Sequence, residues 1–118
     1  MNSNPELIDF QTLRQYIGQD NKIMAQLLEK FSQNLTELIT EITAAQQSND
    51  FQSLAAVAHK HKSSSRSVGA TRLADLCEQV DQRCKNQDYA GLDVVVKEVT
   101  REAEKVAAYV QQWLVNNA

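Results

Sequence analysis

Residues 58–70 read Ala58-His-Lys-His-Lys-Ser-Ser-Ser-Arg-Ser-Val-Gly-Ala70, a run with two unlike faces. At about 100° per residue a helix places His59, Lys62, Ser63 and Arg66 at i, i+3, i+4 and i+7, in one polar stripe. Ala58, Ser65 and Val68, with Phe51 and Leu54 upstream, fall on the opposite side, small or apolar enough to pack against other helices. His61 lies about 200° from His59 and turns toward that inner side. There it needs a hydrogen-bond partner or a place at the edge of the core, and burial favours its neutral ring. Gly69 ends the run and allows the chain to reverse. A helix of this kind cannot cover its own inner face, so it predicts a bundle.

The flanking sequence supplies the other helices. Asp9 is positioned to cap a short helix carrying Phe10, Leu13, Tyr16 and Ile17, stopped by Gly18 and laid across the end of a larger bundle. Asp20 can cap a long helix from about Asn21 to Gln47, where Ile23, Met24, Leu27, Leu28, Phe31, Leu35, Leu38, Ile39 and Ile42 form an apolar stripe. Ser48-Asn49-Asp50 breaks it, and Asp50 or Asn49 can cap the next helix, from about Phe51 to Ser67. A fourth runs roughly from Ala70 to Asn86, with Leu73, Leu76, Cys77, Val80 and Cys84 inward. After Asn86-Gln-Asp88 a last helix, from about Tyr89 to Val115, carries Leu92, Val95, Val96, Val99, Ala103, Val106, Val110, Trp113 and Leu114. Two long and two shorter helices joined by brief turns predict an all-α fold. The architecture is an antiparallel four-helix bundle with a short additional N-terminal helix, the shorter pair forming a hairpin against the longer.

Composition agrees. In 118 residues, 42% are apolar, and there are three glycines and one proline, Pro5, which suits a single helical domain over residues 1–118. The expected behaviour is that of a monomer, with the apolar stripes paired internally. No apolar run reaches the roughly 20 residues that span a bilayer, and Met1-Asn-Ser-Asn-Pro5 lacks the layout of a signal peptide, so a cytoplasmic protein without membrane insertion is expected. Cys77 and Cys84, two turns apart on one helix, are separated by about 10 Å, beyond the roughly 7 Å that a disulfide tolerates. Both are expected in the core.

The net charge of −3 argues against general nucleic-acid binding. The charge is uneven, however. Residues 1–58 hold three basic and seven acidic side chains, whereas His59 to Arg72 holds Lys60, Lys62, Arg66 and Arg72 with no acid. A local cationic patch around His59 suits an acidic partner surface or a phosphoryl group.

His59-x-x-Lys62-Ser63-Ser64-Ser65, followed by Gly69-Ala70, resembles the signature of histidine-containing phosphotransfer (HPt) domains. Leu73-Ala-Asp-Leu-Cys77 is similar to a segment that follows that signature, and Ile8-Asp9-Phe10 with Gly18-Gln-Asp20 resembles the usual opening. The resemblance spans nearly the whole chain. It departs at His61, where the family usually has leucine, and at Ser63, which replaces a glycine in many members.

The resemblance implies a phosphorelay intermediate, not an enzyme in its own right. His59 would take a phosphoryl group from a receiver-domain aspartate and pass it to, or back from, another response-regulator receiver. A hybrid sensor histidine kinase is the other implied partner. A neutral imidazole is a competent nucleophile near pH 7. The sequence holds no phosphate-binding Gly-rich loop and no carboxylate cluster placed for Mg²⁺, so no cofactor is expected here and Mg²⁺ is expected on the receiver. Within this reading Lys62 neutralises phosphoryl oxygens, Arg66 and, at the flank, Lys60 meet the partner, and Ser63 leaves it room to approach. Asp81 stands where the family commonly has Glu or Gln, which implies that it orients the imidazole. Helix capping or solvation is the equal alternative for Asp81. The competing function is a helical adaptor that binds a receiver or kinase without phosphorylation.

Overall fold

A computed structural model describes residues 7–117; Pro5 and the rest of the N-terminal pentapeptide lie outside the described residues. Five helices follow in order: α1 (Phe10–Ile17), α2 (Asn21–Gln47), α3 (Phe51–Ser67), α4 (Thr71–Lys85) and α5 (Leu92–Asn117). Among the described residues there is no strand, and no helix is long and apolar enough to cross a membrane.

Three of the helix starts are set by aspartates that accept hydrogen bonds from otherwise unpaired N–H groups. Asp9 accepts from the Thr12 N–H at 3.1 Å, Asp20 from the Lys22 N–H at 2.8 Å and Asp50 from the Ser53 N–H at 3.1 Å. Side-chain hydrogen bonds from Thr12 and Ser53 hold the Asp9 and Asp50 carboxyls below their ordinary range. Asp50 rather than Asn49 is therefore the cap; Asn49 takes a left-handed turn, with φ of +53°. Of the remaining starts, that of α4 agrees with expectation to within one residue and that of α5 comes three residues later. α4 begins at Thr71 behind Ala70, which has no capping side chain. α5 begins at Leu92, because Tyr89 to Gly91 form a turn that the Arg83 guanidinium closes by donating to the Ala90 carbonyl at 2.6 Å.

The inner stripes share one core, centred on Leu28, Phe31, Leu35, Leu38 and Ile42 of α2, Leu54 and Ala58 of α3, Leu73, Cys77 and Val80 of α4, and Val96, Val99, Ala103 and Val106 of α5. Burial of such side chains is the main favourable term in folding. Ile23 departs from the expected stripe and is 45% exposed, at the first turn of α2. Both cysteines are buried free thiols, and burial pushes the Cys77 thiol up to about 12.

The bundle is antiparallel throughout. Cross-helix pairs at Gln46–Asp93, His61–Glu41, Lys62–Glu78 and Arg66–Asp75 run in opposite chain directions. α3 and α4 form the hairpin, α2 and α5 the longer pair. The overall extent of 43 × 27 × 22 Å reflects the long pair, since 27 residues of helix span about 40 Å. α1 crosses one end: Phe10 stacks on Trp113 of α5, and the Asp9 N–H donates to the Gly69 carbonyl at 3.0 Å. Gly69, at φ +79°, allows the turn, and its missing Cβ leaves room for the Asp9 backbone.

Candidate functional site

α3 carries His59 near its middle, with the side chain 62% exposed. On the next turn Lys62 and Ser63 continue the stripe, and Arg66 follows, so the helix brings these residues together as its period requires. Ser63 is exposed, and its carbonyl accepts from the Ser67 hydroxyl at 3.0 Å. On the inner side Ala58, His61 and Ser65 are buried.

The site is completed from α4. Asp81, only 1% exposed, places Oδ2 at 3.3 Å from His59 Nδ1. A carboxylate can only accept, so Nδ1 is the donor in this contact, and in the neutral ring Nε2 is then the nitrogen with the free lone pair, on a side chain that is more than half exposed. The same Oδ2 lies 3.3 Å from Lys85 Nζ and 3.8 Å from Lys62 Nζ. Asp81 sits in the last third of α4, away from the helix start, and is buried away from bulk solvent. Its Oδ2 is thus within reach of the histidine and of two ammonium groups.

The cationic patch read from the sequence is corrected by these contacts. Lys62 is only 15% exposed and pairs with Glu78 Oε1 at 3.0 Å; Arg66 reaches Asp75 at 3.6 Å and Glu78 at 4.0 Å. Lys60 pairs with Glu41 of α2 at 3.1 Å, and Arg72 with the buried Glu102 of α5 at 3.4 Å. The segment from His59 to Arg72 is free of acids along the chain, but the facing helices return one to each cation. Asp75, Glu78, Asp81 and Lys85 repeat at steps of three, three and four, which aligns them on the face of α4 opposite His59, Lys62 and Arg66. That spacing was the available signal for Glu78 and Lys85, which sequence reasoning missed.

His61 points inward as its angle predicts, and its partner is Glu41, with Nε2 to Oε1 at 3.3 Å. Burial holds the ring below its ordinary value, against the opposing Glu41 hydrogen bond. Burial would raise Glu41, but hydrogen bonds from Lys60 and His61 outweigh it and hold the carboxyl low. His59 and His61 thus occupy different environments, one open and within 3.3 Å of Asp81, the other buried beside Glu41 of α2.

A family model, the Hpt domain, matches residues 26–112. No curated protein matches by sequence. In structure the chain is similar to histidine-containing phosphotransfer protein B (HptB) from Pseudomonas aeruginosa PAO1, at 22% identity and a TM-score of 0.87, covering 98% of this chain and 100% of that one. It is also similar to the HPT domain of a sensor hybrid histidine kinase from Shewanella, at 21% identity and a TM-score of 0.81, covering 93% and 95%. These two likenesses show the same helical-bundle fold.

Proposed function

This chain belongs to the Hpt domain family, with a histidine phosphotransfer role in two-component phosphorelays, and from that premise we propose that His59 is the residue that carries the phosphoryl group. The observation that supports it is the half-open imidazole whose Nδ1 faces a buried carboxylate. The donor is the aspartyl phosphate of a receiver domain. The Nε2 lone pair attacks phosphorus, the N–P bond forms as the P–O bond breaks, and the electron pair leaves with the receiver's carboxylate. Nδ1 keeps its proton throughout. The ring becomes positively charged as the bond forms, and Asp81 faces the nitrogen that shares that charge, so its attraction grows toward the transition state. Transfer to a second receiver retraces the same path.

On this reading the protein is a carrier that depends on its partner, and the receiver brings Mg²⁺ and the groups that activate the phosphoryl. A hybrid sensor kinase is the source of phosphoryl groups upstream. The exposed Ser63 leaves the approach to His59 open, while Arg66 and Lys60 at its borders, each more than half exposed despite its pairing with an acid of this chain, are the cations within a receiver's reach. Residues 1–118 act as one domain, a monomer in the cytoplasm.

Incubation with a phosphorylated receiver domain tests the assignment. Acid-labile, alkali-stable label should appear on the parent and be absent from His59→Gln, whose stability should change by less than about 0.5 kcal/mol because the position is exposed. Stable binding of the receiver without label would instead identify a helical adaptor.

A further inference from the structure

Lys62 and Arg66 stand beside His59, where a phosphoryl group would meet them, yet both are already engaged. Glu78 Oε1 lies 3.0 Å from Lys62 Nζ and 4.0 Å from Arg66 Nη1. Its other oxygen accepts from Gln82 Nε2 at 2.9 Å, which fixes the carboxylate along α4. Lys62 is the least exposed cation of the stripe, so its pairing with Glu78 is partly shielded from water and salt. Its ammonium also approaches Asp81 Oδ2, the oxygen that faces Nδ1. Lys62 is therefore held by carboxylates of α4, whereas the phosphoryl group attaches at Nε2, the nitrogen that Asp81 does not face.

We propose that Glu78 is a positioning residue that competes with the phosphoryl group for Lys62, holding the lysine on α4 while His59 is free and limiting how strongly phosphohistidine is stabilised. The inference rests on His59 as the carrier. A phosphoryl group on Nε2 presents a second anion to the same ammonium, and the lysine divides its time between the two according to their charge and distance. Such a division suits an intermediate: phosphohistidine bound tightly by Lys62 would be slow to give up its phosphoryl group, and Glu78 keeps that hold weak. Arg66, shared with Asp75 as well, is the lesser party because it is half exposed and further from Glu78.

Potassium phosphoramidate tests this without a receiver. Nε2 attacks phosphorus, the P–N bond of the donor breaks and ammonia leaves. The phosphoprotein is followed by intact mass and ³¹P NMR, and its decay is timed after the donor is removed. Glu78→Gln preserves shape and the contact with Gln82 but removes the charge, so phosphohistidine should last about threefold longer than in the parent, the factor expected for a partly exposed ion pair. Thermal stability should stay close to the parent's. Adding Lys62→Met to Glu78→Gln should abolish the gain. Equal lifetimes in parent and Glu78→Gln, or a gain that persists without Lys62, would overturn the competition while leaving His59 as carrier. A parent that takes no phosphate, or a His59→Gln variant that takes as much as the parent, would instead overturn the carrier assignment, and the competition with it.

Discussion

Asp81→Leu separates orientation of the histidine from stability of the bundle. Leucine has the branching of aspartate, with two methyl groups in place of the two carboxylate oxygens, so the substitution changes polarity far more than shape. In the parent the carboxylate is almost fully buried, and its Oδ1 has no hydrogen-bond partner. A buried acceptor left unpaired costs about 1–3 kcal/mol, and aspartate is among the poorer helix formers. Leucine removes the interactions of Oδ2 with His59, Lys85 and Lys62. His59 and Lys85 are mostly exposed and pass to water, and Lys62 keeps Glu78, so no buried charge is left uncompensated. This differs from breaking a closed buried pair, and replacement by a matched apolar group is neutral or stabilising in such cases. The expected outcome is a stability equal to the parent's or higher by about 1 kcal/mol, a rise in Tm of about 4 °C for a chain of this size. Phosphate acceptance should fall about tenfold, the lower end for loss of a hydrogen bond to a charged group, because water competes at an exposed ring. Guanidinium unfolding and the rate of labelling by phosphoramidate measure the two effects. A variant labelled at the parent rate would refute orientation by Asp81. A loss of stability above about 2 kcal/mol would show that the carboxylate holds the bundle instead.

Three further outcomes are expected. Ser63→Phe should slow transfer from a phosphorylated receiver severalfold while labelling by the small phosphoramidate stays near the parent rate, since the side chain obstructs a protein and not a small donor; equal slowing of both would contradict the docking face. His61→Leu should match or exceed the parent's stability at neutral pH, because Glu41 retains Lys60, and should differ from it in acid. The His61 ring is held below 6.5 when folded, so the unfolded chain takes up a proton first, and the parent loses stability as pH falls through about 6.5 toward the folded value. The leucine variant lacks that loss, which thermal melts at successive pH values would reveal. Gly69→Ala should lower Tm by about 5–10 °C, because a left-handed backbone is strained with any side chain and the new Cβ would stand 3.0 Å from the Asp9 backbone.

The helices were legible wherever one local signal sufficed. Asp9, Asp20 and Asp50 cap the helices they precede, and the 3.6-residue period sorts His59 from His61 correctly. Errors arose where a remote group decides. The start of α5 depends on Arg83 reaching the Ala90 carbonyl, which no period encodes. The cationic patch failed for the same reason on a larger scale, because counting charges along one segment ignores the helix that packs against it.

The distinction between near and remote signals also explains how the site is held. His59, Lys62, Ser63 and Arg66 are neighbours by helical period alone, but Asp81 is 22 positions from His59 in the sequence. Only the reversal at Val68 to Ala70 brings α4 back along α3 in the register that pairs His59 with Asp81 and Lys62 with Glu78. In that reversal the Ala70 N–H donates to the Ser65 carbonyl at 2.8 Å, and the Gly69 N–H to the Arg66 carbonyl at 3.1 Å. On its outer side Gly69 receives the Asp9 N–H, and Asp9 caps α1. The short first helix is thereby tied to the turn that sets the register of the α3–α4 hairpin, and through that register to the geometry at His59, although it contributes no residue to the imidazole's own contacts.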